Sequence, residues 1–201
     1  TTNTMFSSTS GYASSKKAMV AGDSARFIPR KPEFVNVPPT TGSLALWGRP
    51  IHEQVKDAKE NEACTLIVTL QGESEHASEK NTLGASCEEF GVERMVLDFW
   101  KSYYGRDQNK NMDIPNMMNE LAYRLKLGQN ILIHCAAGIH RTGLMTYGIL
   151  RMLGHDPKSC REIIAQIRMT TAMNVGERRL CDCEKLFADV WPDANVPDPA
   201  N

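Results

Sequence analysis

The chain of 201 residues lacks any long hydrophobic run. Its longest largely apolar stretches are Leu66–Leu70 and Ile131–Ile133, far short of the roughly 20 residues that cross a bilayer, so no membrane span is expected. It also lacks a dominant charge: 23 Lys and Arg against 24 Asp and Glu leave a net charge of −1. That balance argues against a general nucleic-acid or acidic-membrane binder. The first residues show no basic-then-apolar signal-peptide pattern. No Cys/His cluster has zinc-site spacing, and Cys181 and Cys183, two apart on an expected helix, point to different faces. The six cysteines, Cys64, Cys87, Cys135, Cys160, Cys181 and Cys183, are irregularly spaced. They read as reduced thiols of a cytoplasmic protein rather than a disulfide framework.

What is present reads as one α/β domain over residues 44–191. Residues 1–43 form a Ser/Thr/Gly-rich, then Pro-containing, flexible or draping segment, and 192–201 form a flexible tail. Strands are expected at Ser43–Trp47, Thr65–Leu70, around Met95–Phe99 and at Ile131–His134. Helices are expected at Ile51–Glu60, from a cap at Asp113 to Leu127 with Gly128 as stop, at Thr142–Leu153, after the Asp156–Pro157 start signal, and over Gly176–Val190. Strands alternating with helices predict a central, mainly parallel sheet flanked by helices, with ligands bound beyond the strands' C-terminal ends.

His134 to Gly143 lies at such an end. A buried strand runs into Cys135, Ala136, Ala137, Gly138, Ile139, His140 and Arg141, and an apolar central helix follows. A short strand-to-helix loop with small residues turns backbone N–H groups inward at a helix N-terminus and forms an anion nest. Gly138 supplies the backbone freedom the tight path needs. Arg141 adds a planar two-pronged donor for phosphate oxygens. The same field favours a thiolate at Cys135, placed for in-line attack on phosphorus. His134 is suited to hold the loop backbone, and the Thr142 hydroxyl to bond the sulfur and ease its departure. His140 reads as a rim residue.

His134-Cys135, five residues, Arg141-Thr142-Gly143 resembles the signature loop of the protein tyrosine phosphatase superfamily, and the short domain resembles its dual-specificity branch. The resemblance implies a phosphocysteine intermediate, a phosphate cradle formed by Ala136 to Arg141, and neither metal nor organic cofactor. It also implies an aspartate general acid after the strand preceding the signature: Asp107 first, Asp98 as the alternative inside a strand pattern. A water-positioning residue is implied near Glu177, where the family commonly has Gln. Trp100, Tyr103 and Tyr104 either wall the pocket or anchor its loop. Cys64 or Cys87 is either a buried thiol or a disulfide partner for Cys135.

The variable loop positions carry no lysine, which favours phosphorylated proteins as substrates. A phosphoinositide, inositol polyphosphate or RNA 5′-phosphate remains open through Lys101, Arg106 and Lys110, as does a non-catalytic phosphate-binding module.

Overall fold

The computed structural model describes residues 31–72, Glu75, 82–103 and 113–192. In chain order its elements are β1 (Val35–Asn36), β2 (Ser43–Trp47), α1 (His52–Glu62), β3 (Cys64–Thr69), α2 (Thr82–Phe90), β4 (Glu93–Val96), α3 (Phe99–Tyr103), α4 (Asp113–Lys126), β5 (Asn130–His134), α5 (His140–Met152), α6 (Pro157–Ile167), α7 (Met169–Asn174) and α8 (Glu177–Leu186). A short 3-10 turn, Ala188–Val190, follows.

The five strands lie in the order β1-β2-β5-β3-β4. Only the two-residue β1 pairs antiparallel; β2, β5, β3 and β4 run parallel. The alternation of side chains along each strand divides the core. Leu44, Leu46, Leu66, Val68, Ile131 and Ile133 face one side with apolar residues of α4, α5, α6 and α8. Ala45, Ile67 and Leu132 face the other, with Val55 and Ala58 of α1 and Leu83 and Cys87 of α2. A sheet covered on both faces explains the unbroken apolar run of β5.

α5 is buried on nearly every side, from Thr142 through Arg151, as its apolar composition predicts. It stops at Gly154 (φ +88°). α4 stops at Gly128 (φ +81°), whose N–H donates to the Leu125 carbonyl at 2.9 Å. Asp156 caps α6 by accepting the Lys158 and Ser159 N–H groups at 2.9 and 3.1 Å, with Pro157 as first helical residue.

Three expectations need correction. The fourth strand covers Glu93–Val96, not Met95–Phe99, because its partner β3 ends at Thr69 opposite Val96. Asp98 therefore lies beyond the strand and opens α3: its Oδ1 accepts the Lys101 N–H at 3.3 Å. Asp113 is the first residue of α4 rather than a residue before it. The last helix ends at Leu186 and is preceded by the separate α7.

Candidate active site

The three central strands end level. Trp47 of β2 and Thr69 of β3 both pair with His134, the last residue of β5. Cys135 follows at once, 4% exposed, and α5 begins at His140. The loop 135–139 thus sits beyond the C-terminal ends of β2, β5 and β3 and beneath the positive end of a 13-residue helix.

The loop carbonyls face outward and are all held. Ala136 O accepts the Arg49 N–H at 3.3 Å. Arg168 Nη1 donates to Ala137 O at 3.2 Å and Gly138 O at 2.6 Å. The Thr171 hydroxyl donates to Gly138 O at 2.7 Å. The opposite edges of the Ala137 and Gly138 peptides turn inward, so the N–H groups of Gly138 and Ile139 reach the Cys135 sulfur, joined by the Thr142 N–H from the first turn of α5. Gly138 sits at φ +69°, and a Cβ there would lie 2.1 Å from the Trp47 carbonyl oxygen; only glycine fits.

Burial pushes the Cys135 thiol up. The Thr142 hydroxyl and the three N–H groups outweigh that effect and bring it below the usual thiol range. The Thr142 hydroxyl is fully buried and makes no hydrogen bond of ordinary geometry; it faces the Cys135 sulfur closely enough to favour the thiolate. The other buried thiols behave oppositely: burial raises Cys64 to about 11 and Cys160 and Cys183 to about 12.

His134 is fully buried. Its Nε2 lies 2.9 Å from the Thr69 hydroxyl and its Nδ1 3.4 Å from Cys135 O. Arg94 Nε donates to the same hydroxyl at 3.2 Å. A ring proton on Nδ1 satisfies the chain: Arg94 donates to Thr69, Thr69 to His134, and His134 to the carbonyl of Cys135.

Arg141 Nη1 donates to Leu70 O at 2.9 Å. Both of its amino groups grip Glu75, Nη1 to Oε1 at 2.5 Å and Nη2 to Oε2 at 2.7 Å. The side chain is 12% exposed, and its guanidinium carbon lies 5.9 Å from the centre of the Trp100 ring. The guanidinium holds the Glu75 carboxyl down to about 2. Sequence reasoning missed Glu75; the available signal was its place just past the end of a parallel strand, where ligand-binding residues gather.

Asp98 stands near this pair. Its charge acts on Arg141, and its Oδ2 lies 2.3 Å from where a Cβ on Gly72 would be, so the carboxylate rests against the Gly72 backbone. Asp107 lies outside the described residues, as do Tyr104, Arg106 and Lys110. Tyr103 is 7% exposed and stacks with Phe99 at 5.3 Å between ring centres; it anchors the segment. Trp100 flanks Arg141 and packs edge-on against Phe99.

Glu177 is committed elsewhere. It pairs with Arg161 of α6, whose Nε donates to Oε2 at 3.1 Å. The pair lines a cavity of about 270 Å³ with Ile164, Ala172, Met173 and Leu180. Among the described residues no hydrogen bond joins Glu177 to the signature loop, so the geometry lends no support to a water-orienting role. A disulfide from Cys64 to Cys135 is also ruled out. Cys64 pairs with Asn130 at the far end of β5, five residues or about 16 Å from Cys135, whereas bridged Cα atoms lie within about 7 Å. Cys87 packs with Cys64 on the α1–α2 face of the sheet, opposite the face on which Cys135 packs. All six thiols are free.

Residues 33–175 match the family model described as the tyrosine phosphatase family. No curated protein sequence matches the chain. Among solved structures, kinase associated phosphatase with its catalytic-site cysteine replaced by serine superposes with a TM-score of 0.59 at 14% identity, over 76% of this chain and 89% of that one. Tk-PTP in the active form gives 0.53 at 17%, over 72% and 90%. The human tyrosine phosphatase-like serine/threonine/tyrosine-interacting protein gives 0.53 at 15%, over 80% and 98%. At these identities the structural likeness speaks to fold alone. The family match, which spans the signature loop and covers most of the chain, places this protein in the cysteine-dependent protein tyrosine phosphatase superfamily.

Proposed function

We propose that the protein hydrolyses phosphate monoesters on phosphorylated proteins, at tyrosine and at serine or threonine, through a phosphocysteine intermediate. The observation that carries this reading is the buried Cys135 sulfur in the loop ahead of α5, six residues before Arg141, held below the usual thiol range by Thr142, Ile139 and Gly138. In the first step the thiolate attacks phosphorus while the ester P–O bond breaks. The leaving oxygen takes a proton from a carboxylic acid, for which Asp98 is the candidate by its place beside Arg141. In the second step water attacks phosphorus, the P–S bond breaks, and Asp98 takes the water's proton. The sulfur departs as thiolate, stabilised by the same Thr142 hydroxyl. Arg141 and the loop N–H groups hold the three equatorial oxygens in both steps.

A protein substrate fits the exposed Ala136 and Ala137 at the loop rim, which bring no extra cation for a polyphosphorylated ligand. Six free thiols fit the reducing cytoplasm. No helix among the described residues is long and apolar enough to cross a membrane. The test is hydrolysis of a small aryl phosphate across pH. Wild type should turn over with a basic limb in its profile, Cys135→Ser should not turn over, and Asp98→Asn should lose the basic limb. Unchanged turnover in Cys135→Ser overturns the mechanism. An unchanged profile in Asp98→Asn moves the acid elsewhere, Asp107 being the next to replace. A folded, reduced wild type that binds tungstate without turnover makes the protein a phosphate-binding module instead.

A further inference from the structure

We propose that Arg168 is a positioning residue for Cys135: from the single extended residue joining α6 to α7, it holds the outward carbonyls of the signature loop and lends its charge to the thiolate. The proposal rests on the reading of Cys135 as the nucleophile, and it concerns a residue outside the signature motif.

The backbone of Arg168 is pinned on both sides. It is extended (φ −156°, ψ 100°) between two helices. Its N–H donates to Ile164 O at 2.8 Å, and its carbonyl accepts the Thr171 and Ala172 N–H groups at 3.0 and 3.2 Å. The side chain is equally constrained. The guanidinium lies over the Trp47 ring, 5.4 Å from its centre, and the Trp47 indole N–H is tied to Gln54 Oε1 at 3.3 Å. From there Nη1 bonds Ala137 O and Gly138 O, while Thr171 takes Gly138 O from the next turn. A Cβ on Gly138 would come within 2.4 Å of Arg168 Nη1, so the glycine and the arginine are fitted to each other. Two successive carbonyls drawn outward turn the N–H groups that follow them, those of Gly138 and Ile139, onto the sulfur.

The charge matters as well as the hydrogen bonds. Arg141 is neutralised by Glu75. Arg168, among the described residues, meets no carboxylate; burial opposes its charge, and the Cys135 thiolate is the one group that favours it. A guanidinium held by carbonyls keeps its field for the sulfur. The groups facing Cys135 are then the Thr142 hydroxyl, the His134 ring on its carbonyl, Arg141 of α5 and Arg168, with Glu75 and Asp98 beyond Arg141.

The test is the pH dependence of Cys135 alkylation by iodoacetamide, with tungstate affinity and thermal unfolding measured alongside. Arg168→Met keeps a chain that lies over Trp47 and removes donors and charge. Its alkylation midpoint should rise by about one pH unit and its tungstate affinity fall about tenfold, with far-UV circular dichroism unchanged. Arg168→Lys should recover part of the midpoint, because charge returns without the fork. Thr171→Val, which removes one anchor and no charge, serves if Arg168→Met does not fold; it should weaken tungstate binding and shift the midpoint less. A midpoint and tungstate affinity unchanged in folded Arg168→Met, or in Thr171→Val where the former fails to fold, overturn the proposal. Neither readout needs turnover. Inert wild type with a shifted Arg168→Met midpoint therefore refutes the phosphatase reading alone, and active wild type with an unshifted midpoint refutes this one alone.

Discussion

At the scale of single residues, the site turns on how a buried sulfur stays ionised. Desolvation, the largest contribution, lifts Cys64, Cys160 and Cys183 to about 11 or 12, whereas Cys135, also buried, goes the other way. The largest opposing contribution is the Thr142 hydroxyl. Thr142→Val preserves shape in a fully buried position and removes that donor. Hydrogen bonds to charged groups are worth roughly 1.5–3 kcal/mol, so we expect breakdown of the phosphoenzyme to slow by about tenfold to hundredfold, and the alkylation midpoint of Cys135 to move up. Stopped-flow burst kinetics with an aryl phosphate measures the first; a preserved steady-state rate contradicts the assignment. Cys135, Arg141, Thr142 and Gly138 were legible in the sequence because the cradle is one continuous loop whose chemistry is local. Glu75 and Arg168 were not, because each reaches the loop from a different strand or helix end and has no meaning until the sheet is assembled.

At the scale of elements, the chain places this loop by making three strands end together. β5 lies between β2 and β3, and its last residue is in register with both. That register depends on the entry to β2. Gly42 packs where a Cβ would fall 2.6 Å from Gln129 O and 2.7 Å from Leu125 O, and its N–H donates to Leu125 O at 3.1 Å. The neighbours are backbone and cannot swing aside. Gly42→Ala should destabilise the fold by about 1–3 kcal/mol, read as a lower urea midpoint at unchanged slope. An unchanged midpoint means the turn shifts freely. The elements legible in advance were those with long local signals: the apolar runs of β3 and β5, the all-round apolar α5, the Gly128 stop of α4 and the Asp156 cap of α6. β1, α2, α3 and α7 escaped notice. They are short or weakly patterned, and tertiary packing decides them. Strand β4 was read too late in the sequence because its extent is set by where β3 ends.

At the scale of the whole molecule, α4–α8 cover one face of the sheet and α1–α2 the other, and the open edge of strand ends gathers the charges. Across that edge the Glu75–Arg141 pair links the segment after β3 to α5. Glu75 ionises near 2 instead of its ordinary 4.5, held down first by the Arg141 hydrogen bonds. A depressed carboxyl stabilises the fold fully above its unfolded value, and that contribution fades as pH falls from 4.5 towards 2. Glu75 is 35% exposed, so solvent screening leaves about 1 kcal/mol. Glu75→Gln should therefore lower Tm at pH 7, and the gap from wild type should close as pH approaches 2. A gap that persists in acid assigns the loss to packing rather than charge.

The central claim is that Cys135 carries the phosphoryl group. The most direct measurement is rapid acid quench of wild type turning over a ³²P-labelled phosphoprotein or aryl phosphate, followed by peptide mapping. The account predicts label on the peptide containing Cys135, in an acid-stable thiophosphate linkage that disappears in Cys135→Ser. Turnover with label on another residue, or at full rate with label absent from Cys135 at every quench time, would contradict it.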